Sequence, residues 1–131
     1  MTRQLALFEF EALSPQKVQQ LFLASAEELR VNRNHLPILV EFYPFVGINH
    51  TIRFKGDKLL VRLSDLFEEA PAEIIKALSL ILLSKLFRRR IPEGIKAAYR
   101  AYADSPEMKR RSLRTRSERG RKLVSPPQGR R

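Results

Sequence analysis

Apolar residues recur every three or four positions over residues 14–30, a spacing that places them on one face of a helix. Ser14 and Pro15 mark the start, because serine caps free N–H groups and proline is accepted in the first helical turn. Residues 1–13 also contain apolar positions, which fit either a short strand or a packed arm. The predicted face consists of Val18, Leu21, Phe22, Ser25, Ala26 and Leu29.

Residues 36–63 contain three segments that predict β-strands. Residues 36–42 are apolar and partly β-branched, as in a half-buried or buried strand. Residues 50–55 and 59–63 alternate between apolar and polar, and the Gly-Asp pair between them is typical of a hairpin turn. The sequence therefore predicts a small antiparallel sheet with a hairpin.

Residues 72–90 predict a long helix whose apolar positions cover most of its circumference. Such a helix is buried and packed on more than one side. Two further helices are predicted at 92–103 and 106–119, the second mostly exposed because it has few large apolar residues. We expect an α+β fold in which the small antiparallel sheet packs on helix 14–30 and the buried central helix, followed by basic C-terminal helices.

The charge of the chain divides it at Arg88. The formal net charge is +11, and residues 1–87 contain 10 Lys/Arg and 10 Asp/Glu, whereas residues 88–131 contain 15 Lys/Arg and 4 Asp/Glu. From charge and pattern together we expect a globular α+β domain over 1–103, and a basic helical tail with a linker-like end over 104–131.

The basic tail is the main candidate for function. Arginine dominates it, and the guanidinium fork binds phosphate oxygens through paired hydrogen bonds. The tail has no aromatic residue to stack on a base, so the sequence favours contact with a nucleic-acid backbone. The alternative is a solvated linker that continues towards another domain. The candidate nucleic-acid-binding residues are Lys109, Arg110, Arg111, Arg114, Arg116, Arg119, Arg121 and Lys122.

Several other functions have little support in the sequence. Without cysteine there is no disulfide, thiolate metal site or cysteine nucleophile, which fits a reducing cytoplasm. No signal peptide or membrane-spanning stretch is recognised, and no phosphate-binding glycine motif is present. A zinc site would need His35, His50 and a carboxylate such as Glu41. Their spacing matches no compact ligand set, and we expect two surface histidines and no cofactor.

An acidic cluster precedes and begins the long helix. Paired carboxylates can act in acid–base catalysis, but negative charge is also favoured at helix starts. We therefore expect a structural role for the cluster. Its members are Asp65, Glu68, Glu69 and Glu73.

The order of elements over residues 61–87 resembles the core of the SprT-like zinc metallopeptidases of bacteria. A strand ends in Ser64, a loop contains Pro71, and a long apolar helix follows. In that family the helix carries His-Glu-x-x-His, which binds zinc and activates water. Aligned by residue, that motif falls on Ile81, Leu82, Leu83, Ser84 and Lys85, so no zinc ligand or catalytic group carries over.

The end of the chain, from Arg119 onwards, resembles the linker that joins a non-catalytic front segment to a SprT-like module in some bacterial proteins. The resemblance covers residues 35–130. It implies a non-catalytic accessory or vestigial binding segment, not an enzyme, with a missing or separate downstream metallopeptidase domain as a possible partner. The alternative is a stand-alone, small, basic DNA- or RNA-binding protein.

Overall fold

A computed structural model describes residues 14–31 and 35–124, with side chains as far as Gly120. Residues 1–13, predicted as either a short strand or a packed arm, and the linker-like end after Val124 lie outside the described residues. The described part has an α+β fold of four α-helices and three strands, so the expected fold class is confirmed. The elements are α1 (Pro15–Glu28), β1 (Ile38–Tyr43), β2 (Thr51–Lys55), β3 (Lys58–Ser64), a 3-10 turn (Asp65–Phe67), α2 (Ala72–Phe87), α3 (Glu93–Ala103) and α4 (Pro106–Val124).

The sheet is mixed, which corrects the expectation that it is wholly antiparallel. Its strand order is β1-β3-β2, with β3 parallel to β1 and antiparallel to β2. Strand β3 occupies the centre because Leu59, Val61 and Leu63 are its apolar positions and all three are fully buried. The loop after β1 therefore crosses to the far edge of the sheet, and the chain returns through the middle.

The predicted hairpin between β2 and β3 is confirmed. A two-residue turn of Gly56 and Asp57 joins the strands, and Lys55 pairs with Lys58 across it. Gly56 has φ +64°, which glycine adopts without the steric penalty that a Cβ atom brings. The local residue pattern is therefore sufficient to specify this turn.

Helix α2 is buried along most of its length, as its pattern predicts. Every residue from Ile74 to Ser84 is buried except the half-buried Lys76. Helix α1 packs beside it, and the hydroxyls of Ser25 and Ser79 form a buried hydrogen bond of 2.5 Å between the two helices. Helix α2 ends at Phe87 rather than at Arg90. Arg88 has a left-handed φ of 57°, which redirects the chain.

None of the helices within the described ranges is both long enough and apolar enough to cross a lipid bilayer.

Candidate nucleic-acid interface

Helix α4 begins where the sequence predicts it. The Ser105 hydroxyl accepts a hydrogen bond from the Met108 N–H at 3.3 Å, which caps the helix start. Pro106 is the first helical residue, and Glu107 places a negative charge in the first turn. The helix continues to Val124, beyond the predicted end at 119.

One face of α4 is docked on the body of the protein. Met108 is 2% exposed and belongs to the hydrophobic core, and Thr115 is 4% exposed. The Thr115 hydroxyl accepts a hydrogen bond from the Gly47 N–H at 2.7 Å and donates one to the Ser112 carbonyl. Met108 and Thr115 are seven positions apart, which places them on the same side of the helix. The predicted helix is thus mostly exposed, but it is fixed along one side.

Arg119 fixes the later part of the same face. Its guanidinium donates two hydrogen bonds of 3.0 Å to the carboxylate of Asp65 and a third, of 2.9 Å, to the Phe45 carbonyl. Both charged side chains are about three-quarters buried, at 29% and 25% exposure. This bidentate contact joins α4 to the 3-10 turn at the end of β3.

The other candidate cations lie at different positions around α4. Arg110 and Arg114 are four residues apart, and each is exposed. Position 110 lies about 200° around the helix from Met108, so the two arginines occupy the side away from the body. Neither forms an ion pair within the described residues. Arg111 instead lies beside the body, with a guanidinium nitrogen 3.7 Å from the Met108 sulfur.

Lys109 and Arg116 occupy one flank of the helix, beside a groove of about 330 Å³. Arg116 also lies near Gly47, since a Cβ atom added to that glycine would be 3.4 Å from its Nε atom. Arg121 and Lys122 belong to the last turn of the helix. The groove is lined by Ile48, Ala103, Asp104, Lys109, Ser112, Leu113 and Arg116.

The sequence identifies the basic residues of α4 but misses the contacts that position them. The spacing of Met108, Thr115 and Arg119 by seven and four is a helical pattern that could have marked the docked face. Two members of that pattern are polar, so a search for apolar positions passes over them. Their partners Gly47 and Asp65 are distant in the chain, and no local pattern connects them.

His50 is not the surface residue that the sequence led us to expect. Its Nδ1 atom accepts a hydrogen bond from the Ser64 N–H at 3.1 Å, and its Nε2 atom lies 2.9 Å from the Tyr99 hydroxyl. Because the Ser64 amide can only donate, Nδ1 must accept, so the neutral ring carries its proton on Nε2 and donates it to Tyr99. Phe67 contacts both rings, with centroids 4.8 Å from His50 and 5.7 Å from Tyr99.

Burial disfavours the charged form of both His50 and Tyr99. It lowers the pKa of His50 to about 4 and, together with the charge of Asp104, raises the pKa of Tyr99 to about 12. The pair therefore remains neutral at physiological pH and connects α3 to the sheet. His35, in contrast, is exposed. Within the described residues, no three His, Asp or Glu side chains are grouped closely enough to hold a metal ion.

The acidic residues near the start of α2 have separate environments. Asp65 and Glu73 lie in the first turns of their helices, as predicted. Asp65 has the additional role of binding Arg119, which the sequence did not reveal. Glu68 and Glu69 are exposed in the turn between them.

The positions onto which the SprT-like zinc motif aligns lie in the C-terminal half of α2. Ile81, Leu82 and Leu83 are buried hydrocarbon side chains. The Ser84 hydroxyl donates to the Ile81 carbonyl of its own helix at 2.8 Å, and Lys85 is exposed. Four of these five side chains are buried, and none of the five is a histidine or a carboxylate that could bind zinc.

Searches of protein-family models, curated proteins and solved structures found no match to this chain.

Proposed function

We propose that this chain is a non-catalytic binding module, related to the front segments of SprT-like proteins, whose helix α4 contacts the phosphate backbone of nucleic acid. The observation that carries the proposal is the docking of α4 through Met108, Thr115 and Arg119. With that face fixed, Arg110 and Arg114 are held on the opposite side of a rigid helix. A prearranged row of cations loses less conformational entropy on binding than a flexible tail does.

The charge of α4 supports a polyanionic partner. The helix contains eight Lys/Arg residues and two acidic residues, Glu107 and Glu118. Backbone contacts of this kind release condensed counterions and carry no sequence preference. The exposed side of α4 has no aromatic residue, so we assign it phosphate contact rather than base recognition.

The test compares how tightly the wild type, a variant of α4 and a control variant of equal net charge bind a short mixed-sequence DNA duplex. The variant Arg110→Ala/Arg114→Ala removes the two outward arginines. The control Lys17→Ala/Lys76→Ala removes the same amount of charge from α1 and α2. We expect the first variant to bind at least tenfold more weakly than the wild type and the control to bind within about twofold. Equal losses in both variants would mean that α4 has no particular role.

Two forms of the proposal differ in whether a peptidase module accompanies the chain. In the accessory form this segment keeps the SprT-like layout without its chemistry, since buried Ile81, Leu82 and Leu83 occupy three positions of the motif. The coding DNA downstream distinguishes the two forms. A His-Glu-x-x-His segment there, in frame or after a frameshift, favours the accessory form. Its absence favours a stand-alone DNA- or RNA-binding protein.

A further inference from the structure

A second basic surface lies at the turn end of the hairpin, where an aromatic contact joins β2 to the end of α2. The rings of Phe54 and Phe87 meet edge to face, with centroids 5.8 Å apart and planes at 84°. Phe54 is nevertheless 51% exposed. A half-exposed ring with a fixed orientation has a surface available to a flat ligand.

The contact between the two rings places the turn end of the hairpin beside the end of α2, and both segments carry cations. Arg53 and Lys55 flank Phe54 in the edge strand β2, so they project from the face opposite its ring, together with Lys58, the cross-strand partner of Lys55. Three consecutive arginines follow Phe87, and all six cations are exposed. None of them forms an ion pair in the part of the chain that the structure describes. We call this region the hairpin surface: Arg53, Phe54, Lys55, Lys58, Phe87, Arg88, Arg89 and Arg90.

Several features of the hairpin surface are unfavourable for the isolated chain. Lys55 and Lys58 lie directly opposite each other, and like charges in that arrangement repel. Arg88 adopts a left-handed φ of 57°, which costs free energy in a residue with a side chain. Phe54 leaves about half of its surface in water. The negative charge of an anionic partner would offset the repulsion between Lys55 and Lys58. A flat apolar group in that partner would cover the exposed ring of Phe54.

We propose that the hairpin surface binds single-stranded nucleic acid, with a base stacked on Phe54 and phosphates held by the arginines that follow Phe87 and by the cations on the other face of the edge strand β2. Stacking requires a base whose face is free, and a duplex covers the faces of its bases with neighbouring pairs. Arginine and lysine beside a stacking ring are the usual components of single-strand recognition, because they follow the backbone while the ring contacts bases of any sequence.

The hairpin surface is separate from α4. Helix α4 contacts Phe45, Gly47 and Asp65, at the end of the sheet where β1 and β3 finish. The hairpin surface lies where β3 begins, and a seven-residue strand at about 3.3 Å per residue separates the two ends by roughly 20 Å. Binding at the hairpin surface therefore does not require that α4 binds nucleic acid.

The experiment measures the affinity of the full chain for fluorescently labelled oligothymidine and for a DNA duplex. Phe54→Leu keeps an apolar contact with Phe87 but removes the ring, and Tyr43→Leu is the control, since Tyr43 is an exposed aromatic residue on β1. We expect Phe54→Leu to bind oligothymidine about tenfold more weakly and the duplex as the wild type does. Tyr43→Leu should bind both within about twofold. Unchanged thermal unfolding monitored by circular dichroism establishes that each variant is folded.

A second variant tests the cations of the same surface. Arg89→Ala/Arg90→Ala should reduce the salt dependence of oligothymidine binding by about 1.4 in the slope of log K against log salt. The proposal is overturned if Phe54→Leu binds oligothymidine as tightly as the wild type does, or weakens duplex binding equally. It is also overturned if phosphatidylserine vesicles, and not oligothymidine, bind in a Phe54-dependent way. Loss of duplex binding in Arg110→Ala/Arg114→Ala reports on α4 alone, so the two proposals fail independently.

Discussion

Arg119 and Asp65 are 54 positions apart in the chain and meet through two parallel hydrogen bonds of 3.0 Å. The contact lies between the basic helix and the turn that ends the central strand. It makes α4 part of the folded body instead of a free tail. Arg119 is therefore a positioning residue for the arginines that face away from the body.

A double-mutant cycle on Arg119→Ala and Asp65→Ala measures this contact. We expect a coupling free energy of about 1–2 kcal/mol in urea unfolding, because the pair is bidentate and only about a quarter exposed. Arg114→Ala, which removes an exposed arginine from the same helix, should change the stability by less than about 0.5 kcal/mol. A coupling near zero would mean that α4 is held by Met108 and Thr115 alone.

Gly47 makes a second contact with α4 that substitution can test. Its φ is +75°, and an added Cβ atom would lie 3.4 Å from both Ser112 Oγ and Arg116 Nε. Gly47→Ala should therefore lower the free energy of unfolding by about 1–2 kcal/mol. Gly94 is the matched control, since it lies in helix α3 with nothing within 4 Å of an added Cβ. There the same change should stabilise by about 0.5–1 kcal/mol, because alanine is the better helix former.

The His50–Tyr99 contact predicts how stability depends on pH. The pKa of His50 is lowered to about 4 in the folded protein, from 6.5 in the unfolded chain. The unfolded state therefore binds more protons between these values, and stability is complete above pH 6.5 and declines as the pH falls towards 4. The loss from this group at pH 4 is about 3 kcal/mol.

Chemical unfolding of the wild type and two variants between pH 4 and 7 checks this prediction. His50→Gln should remove this part of the pH dependence, because glutamine does not titrate. His35→Gln, at the exposed histidine, should leave the wild-type profile unchanged. An unchanged profile in His50→Gln would assign the pH dependence to other groups.

The buried hydroxyl pair between α1 and α2 predicts an asymmetry between two serines. Ser79 donates to the Lys76 carbonyl at 2.7 Å, so in its 2.5 Å contact with Ser25 it acts as the acceptor. Ser79→Ala leaves the buried Ser25 hydroxyl without its acceptor and should cost about 1–2 kcal/mol. Ser25→Ala should cost less, and the double variant should be no less stable than Ser79→Ala. Thermal unfolding of the three variants tests this order, and equal costs for the single variants would contradict the assignment.

The sequence predicted those elements that depend on local pattern. The hairpin, the buried helix α2 and the serine-proline start of α4 each follow from residues within a few positions of one another. The parallel pairing of β1 with β3 was missed, because the pairing depends on which strand buries the most apolar surface. The environments of His50 and Arg119 were missed for a related reason: their partners Tyr99 and Asp65 are 49 and 54 positions away. The Phe54–Phe87 contact likewise joins two segments that look unrelated in the sequence.

The salt dependence of duplex binding tests the central claim most directly. For the wild type, the logarithm of the binding constant should fall linearly and steeply with the logarithm of salt concentration. In Arg110→Ala/Arg114→Ala the magnitude of this negative slope should fall by about 1.8, since each lost phosphate contact accounts for roughly 0.9. An identical slope in the variant, or wild-type binding that does not change with salt, would contradict the assignment of α4 as a nucleic-acid-binding helix.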